Sequence, residues 1–364
     1  MKILVSRIHG GSMGGAERSA YDHYRVFGAL GLSSYFYTNA QFENEREHFV
    51  PQIKPLRWLW LLTVLPCVAL FGGYDIINPH SREDQIAFTL SKWLHRTPVV
   101  WKDPGDLVHN VKLGREGLLG RLNQWLLVKA IKESDAIYTL NKQDKGILLD
   151  RLKKLGQEIN TEKIYVVPSD ILFADYDLKA KPVKSTENLV IGTIIRLDEH
   201  KGVQYLLEAA QELNKHHRNL EFWIVGDGPY RQRLESMAKH IDNVTFWGYQ
   251  TDVSPYLAGM DTFVQPAEFE GWGRNVKEAM YFSKPIVGSD VGGIAEQIDD
   301  GKTGLLFEPK NVSQLTKQLE KLIKDSHLRG KLGQAGHKKA LAEGDYVKLI
   351  KTKILPIFKS VINK

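Results

Sequence analysis

Pro266-Ala-Glu-Phe-Glu-Gly-Trp-Gly-Arg-Asn-Val-Lys-Glu-Ala-Met280 decides how this chain is read. An apolar run, 260–266, precedes its glycines, and a helix-forming run, 276–282, closes it. The order predicts strand, glycine-containing loop, helix. Amides at such a helix start lack intrahelical partners and face the positive end of the dipole, so the loop suits an anion, most often a phosphate. Glu270 is expected at the loop mouth and Glu278 about two turns into the helix. One carboxylate can then meet a reacting group while the other reaches a distant part of a long ligand.

Outward from this stretch the pattern is strand and helix in alternation. Strands are expected at 189–195, 221–225, 244–246, 262–265, 285–288 and 304–307. An earlier series lies at 2–6, 34–38, 76–78, 99–101, 136–139 and 164–167. The first of these strands leads into a glycine-rich turn, 10–15, and a helix over about 16–30. Such alternation predicts α/β sheets of parallel strands covered on both faces. Residues 169–188 lack periodicity and read as a linker. Two α/β halves would leave a cleft that takes ligands at the carboxyl ends of strands. There is no internal repeat.

With 364 residues, 43% hydrophobic and 25% charged, the composition is that of a globular protein of about two domains. The single cysteine, Cys67, excludes internal disulfides and cysteine-based zinc sites. The start, Met1-Lys-Ile-Leu-Val-Ser, is too short and strand-like for a signal peptide, so a cytoplasmic location is expected. Residues 1–180 carry 23 basic and 20 acidic side chains, whereas 346–364 carry five lysines and no acid. This basic balance fits either an anionic membrane surface or ordinary solvated lysines. No dense basic run with interleaved aromatics is present, so nucleic acid is not an expected partner. The uncharged stretch 58–73, interrupted by Pro66, is too short to span a bilayer. It fits either a buried helix or an interfacial one.

Several polar groups fall at strand ends. Arg196 and Lys201 could clamp a diphosphate, Arg in fork geometry, or could simply be surface cations. Gly226 lies in a glycine turn. Trp247 and Tyr249 fit a nucleobase wall or strand-end packing. In this order, and with 261–266, 285–296 and 301–306, these residues resemble the GT-B glycosyltransferases of the large retaining family 4, typified by sucrose synthase and glycogen synthase. The resemblance covers nearly the whole chain and is strongest over 191–309.

That resemblance implies two Rossmann-like domains facing each other across a cleft. The first is 1–170 with a C-terminal helix 346–364, on the acceptor side. A linker, 171–188, leads to the donor-binding domain, 189–345. The implied substrate is a nucleotide-diphosphate-sugar, a UDP-sugar at family level, with no cofactor and no catalytic metal. Arg196 and Lys201 would hold the diphosphate. Gly271, Trp272, Gly273 and Arg274 would contact phosphate or sugar, Glu278 the ribose hydroxyls, and Glu270 the transferred sugar. Gly14 and Gly15 would bring amides to the donor, and His80 would face a glycan or lipid-linked acceptor. The chain departs from the family at Asn275, at Lys277, where an apolar residue is usual, and after Pro168. It departs most after strand 99–101, where Lys102 and Asp103 replace a histidine. Asp103 or Lys102 would do the polar work there, or His109 would fold back. A nucleotide-sugar epimerase or hydrolase, or a non-catalytic subunit binding a partner transferase, are the competing readings.

Overall fold

The computed structural model describes residues 1–7, 15–38, 48–49, 57–103, 117–184 and 187–363; at 15–17, 37–38, 48–49, 57–62 and 118–119 it describes the backbone alone. The chain divides into two compact units, Met1–Ser169 with Tyr346–Lys364, and Asp170–Asp345.

In the first unit the elements are β1 (Lys2–Arg7), α1 (Gly15–Ala29), β2 (Ser33–Thr38), β3 (His48–Phe49), α2 (Arg57–Gly72), β4 (Ile76–Pro79), α3 (Arg82–Leu90), α4 (Lys92–His95), β5 (Val100–Lys102), α5 (Leu118–Glu133), β6 (Ala136–Thr139), α6 (Lys142–Lys154) and β7 (Ile164–Val166). The strands pair in parallel in the orders β3-β2-β1-β4 and β5-β6-β7, joined by a bridge between Ile77 and Val99. Ile3, Leu4, Ile76, Ile77, Val100 and Trp101 are fully buried. Continuous apolar runs are what a parallel sheet covered on both faces requires. Connection order reverses between β1 and β4, so His80, just after β4, lies at a switch point, where such folds bind ligands.

Helix α2 runs through Pro66, with Leu65 and Ala69 buried and Leu70 and Phe71 exposed. Over its described side chains the apolar stretch 58–73 therefore has one face in the core and one exposed. Among the described residues no helix is long and apolar enough to cross a membrane. The tail was expected as one helix. It instead forms α14 (Tyr346–Leu349), a π-turn (Ile350–Ile354) and α15 (Leu355–Ile362). Pro356 has no N–H to give to the carbonyl four residues back, and the ladder widens just before it. Lys348, Lys351, Lys353 and Lys359 are all exposed.

The second unit contains β8 (Leu189–Ile194), α7 (Val203–Asn214), β9 (Leu220–Val225), α8 (Arg231–Ala238), β10 (Val244–Gly248), α9 (Ser254–Gly259), β11 (Thr262–Gln265), α10 (Arg274–Tyr281), β12 (Ile286–Ser289), α11 (Gly292–Gln297), β13 (Leu305–Phe307), α12 (Val312–Lys324) and α13 (Ser326–Glu343). The strand order is β10-β9-β8-β11-β12-β13, all parallel. Phe222, Trp223 and Phe263 are fully buried, each worth roughly 1.5–3 kcal/mol against exposure. Ile171 and Tyr176 pack into the core around Trp223 and Phe263, so the start of 171–188 belongs to this unit. Here order reverses between β8 and β11.

Two glycines set the loops at that reversal. Gly202 has φ +74°, and a Cβ on it would lie 1.9 Å from the Pro266 carbonyl oxygen. A Cβ on Gly293 would lie 2.4 Å from Trp272 Cα and 2.6 Å from the Gly271 oxygen. Gly293→Ala is therefore expected to cost about 1–3 kcal/mol, read as a lower urea midpoint; an unchanged midpoint would mean the loop yields freely.

In the first unit Asp84, in the first turn of α3, accepts from Ser6 Oγ at 2.5 Å and from the Ser81 amide at 2.9 Å. Burial pushes its carboxyl up from the ordinary 3.8 to about 7, against the pull of those hydrogen bonds and of Arg7. The folded chain thus keeps a proton that the unfolded chain releases above about pH 4. The group's stability contribution is complete below that pH and is lost as pH rises through 7, at no more than about 1.4 kcal/mol per pH unit. The stability of the wild type relative to Asp84→Asn should accordingly fall between pH 4 and 7. A difference independent of pH would refute the assignment.

Candidate active site

The carboxyl ends of β8 and β11 place the expected donor groups. After β8 the chain turns out through Arg196, whose Nε donates to Asp198 Oδ2 at 2.7 Å and whose side chain is 46% exposed. It then enters a 3₁₀ turn, Glu199–Lys201. Lys201 Nζ reaches Glu270 Oε2 at 2.7 Å, both side chains being less than one-fifth exposed. Gln265, fully buried at the end of β11, donates to the same Glu270 oxygen at 3.4 Å. Lys201 and Glu270 are thus brought together, while Arg196 stands nearby on its own carboxylate.

The 270–273 loop is laced to α11. The Gly293 amide donates to the Glu270 carbonyl at 3.2 Å. Gln297 Nε2 donates to the Trp272, Gly273 and Gly293 carbonyls. Gly273, at φ +78°, precedes α10 and lets the helix begin at Arg274. The helix starts two residues before the helix-forming run at 276, and Glu278, four residues after Arg274, sits about one turn in, where two were expected. Asn275 Nδ2 donates to the Ile194 carbonyl at 2.8 Å and to Gln265 Oε1 at 2.6 Å, tying α10 to the ends of both β8 and β11. Behind the loop His200 stacks on Phe269 with ring centroids 4.3 Å apart, and Tyr205 donates to Glu268 at 2.6 Å. Burial, then the Lys201 charge, hold His200 below the usual histidine value.

Glu278 Oε1 accepts from the Tyr176 hydroxyl at 2.7 Å. Its neighbour Lys277, only 3% exposed, pairs with Glu343 at 2.7 Å and lies 3.7 Å from Asp170. Burial raises Asp170 to about 6, against the Lys277 charge. Of the expected aromatic wall, Trp247 packs edge-on against Trp223 and Tyr256, and Tyr249 is 57% exposed. Gly226 abuts the Ile195 carbonyl. Tyr176, Gln265, Asn275 and Gln297 entered no sequence argument as site groups. They are single polar residues whose role lies in what they touch, although Asn275 had stood out as a departure.

In the first unit Gly15 opens α1, whereas Gly14 and His109 lie outside the described residues. His80 and Asp103 are both buried. Asn78 Nδ2 donates to the Val100 carbonyl at 2.6 Å, so its Oδ1 must face His80 Nε2, 2.9 Å away, and the Tyr138 hydroxyl at 3.1 Å. His80 therefore carries its proton on Nε2 and its lone pair on Nδ1. Burial, then His23, Lys102 and Arg7, hold its pKa well down, so it is neutral at pH 7. Lys102, 3% exposed, donates to Ser19 Oγ and, at 3.0 Å, to the Tyr346 hydroxyl. Among the described residues no three His, Cys, Asp or Glu side chains are grouped to hold a metal ion.

Residues 176–339 match the family described as glycosyl transferases group 1. The chain is 28% identical to the alpha-D-kanosaminyltransferase of Streptomyces kanamyceticus over 222 residues, 58% of this chain and 57% of that protein. It is likewise 28% identical to the lipopolysaccharide core biosynthesis glycosyltransferase LpsE of Rhizobium meliloti over 195 residues, 52% of this chain and 55% of that one. It thus spans a little over half the length of these relatives. In three dimensions it resembles HepE of Anabaena, solved with UDP and glucose, at a TM-score of 0.80 and 18% identity, over 99% of this chain and 100% of that one. The chain therefore has the GT-B fold, and its residues 176–339 match the glycosyl transferases group 1 family.

Proposed function

We propose that this chain is a retaining glycosyltransferase of family 4. It moves a sugar from a nucleotide-diphosphate donor, a UDP-sugar, to a glycan or lipid-linked acceptor in cell-surface polysaccharide or glycoconjugate synthesis. The observation that carries this reading is the Lys201–Glu270 pair, set beside Arg196 where strand order reverses at β8 and β11. A cation and a carboxylate within one hydrogen bond of each other, next to a second cation and a glycine loop, suit a substrate that is anionic at one end and becomes cationic at the reacting carbon. The relatives' names and the UDP and glucose of HepE support the same donor class.

In this mechanism Arg196, Lys201 and the loop amides of Gly271, Trp272 and Gly273 take the diphosphate, with Arg274 beside them. They stabilise the charge that grows on it as the bond to the sugar breaks. The acceptor oxygen forms its bond on the same face, and its proton passes to the departing phosphate oxygen, so configuration is retained without a separate base. Glu270 stabilises the positive charge on the sugar, and Glu278 takes the ribose diol. No metal is required. Gly14 and Gly15 bring amides to the donor, while His80, as a neutral acceptor of a hydrogen bond at Nδ1, and Asp103 serve the acceptor. Gly226, Trp247 and Tyr249 frame the base.

The enzyme works in the cytoplasm, in peripheral contact with an anionic membrane. One face of α5 supports this: Arg121, Leu122, Trp125, Lys129 and Lys132 follow helical spacing, with Trp125 57% and Leu122 49% exposed and the Lys129 ammonium 5.3 Å from the Trp125 ring centroid. Cations flanking an apolar centre are the composition of an interfacial helix.

Lys201→Ala is expected to lower kcat/KM for acceptor-dependent release of UDP from UDP-glucose by about a hundredfold or more, with little change in melting temperature. The product anomer, read by NMR, should match the donor. Retained activity in the variant would remove the diphosphate role, and acceptor-independent release would favour a hydrolase. The protein should also cosediment with phosphatidylglycerol vesicles at low salt but less at high salt, and Arg121→Glu with Lys129→Glu and Lys132→Glu should abolish this. Wild-type protein left in the supernatant would exclude membrane contact.

A further inference from the structure

Glu278 is not a lone carboxylate on a helix. Its Oε1 accepts from the Tyr176 hydroxyl at 2.7 Å, and Tyr176 itself is held in the core of the second unit. The Tyr176 ring packs edge-on against Tyr281, the last residue of α10, and Phe282 just after it, each with centroids 6.4 Å away. The phenol is therefore fixed against the same helix whose carboxylate it meets. One residue back on that helix, Lys277 lies 3.7 Å from Asp170, so the segment from Asp170 to Tyr176 is fastened to two consecutive positions of α10.

A glutamate has three side-chain torsions, and a ligand that uses it must normally pay for ordering them. A carboxylate also has more acceptor capacity than one hydroxyl uses. We propose that Tyr176 is a positioning residue: it orients the Glu278 carboxylate through Oε1 before ligand arrives and leaves Oε2 aimed for the vicinal hydroxyls of a nucleotide ribose. This inference rests on the ribose role given to Glu278 above. It adds that the specificity for a ribose diol is set from outside α10, by a residue in the segment that opens the unit.

The test is calorimetric titration of wild type, Tyr176→Phe and Glu278→Ala with UDP and with 2′,3′-dideoxyuridine diphosphate. Loss of one charge-assisted hydrogen bond to the carboxylate predicts about five- to tenfold weaker UDP binding by Tyr176→Phe. Binding of the dideoxy nucleotide, which offers no diol, should be unchanged in that variant. In turnover assays the same variant should raise the donor KM and leave kcat near wild type. If Tyr176→Phe weakens both nucleotides equally, or neither, Tyr176 only packs and the inference fails while the ribose role stands. If Glu278→Ala leaves the preference for UDP over the dideoxy form intact, the ribose role itself fails, and the inference with it. Absence of UDP binding to the wild type overturns both.

Discussion

The Lys201–Glu270 ion pair joins the ends of the two strands between which the second sheet reverses its order, and the local chain path is built to permit it. Lys201 can reach across only because Gly202 brings its backbone against the Pro266 carbonyl, closer than any Cβ allows. Glu270 stays at the mouth of its loop because Gly293 and Gln297 of α11 hold the loop carbonyls from behind. Asn275 and Gln265 then lock the start of α10 to the same strand ends. The pair is half-sheltered rather than sealed, so the desolvation of each ion is partial and an incoming anion can compete for the lysine.

The first unit faces a different constraint. Lys102 is a cation with almost no exposure, in a strand whose neighbours are apolar. An unpaired ammonium there would be costly. Ser19 and Tyr346 supply oxygen acceptors, and Tyr346 opens the C-terminal segment, so this return of the chain is fastened where the lysine needs it. The same region keeps His80 neutral and its tautomer fixed through Asn78, whose amide cannot turn over without facing a backbone carbonyl with its own oxygen. Buried polar networks of this kind tolerate few substitutions, since each member satisfies the next.

The second unit repeats the device with Lys277, tied to Glu343 and lying near Asp170. Both residues stand at the ends of the unit, so the helix that carries Glu278 is also the helix to which those ends are fastened. A long apolar residue at this position would fill the same space without linking the ends.

Much of this was legible in the sequence for a simple reason: strands buried on both faces must be apolar throughout, and their alternation with amphipathic helices is a local pattern. Of the thirteen strands among the described residues, twelve lie at the expected places, and only the two-residue β3 carried too little sequence to be seen. The glycines around Glu270 and the two glutamates were legible because backbone geometry and charge are properties of single residues. What they touch was not. That Glu278 answers to Tyr176, that Glu270 is shared between Lys201 and Gln265, and that Trp247 packs against Trp223 and Tyr256 all depend on residues far apart in the chain. The helix start at Arg274 and the π-turn before Pro356 were likewise not legible: one is set by a left-handed glycine, the other by a hydrogen bond that proline cannot donate. The residue types and their order determined the fold class and which groups carry charge; only tertiary packing decided which of those groups meet, because a hydrogen bond is satisfied by proximity and not by sequence.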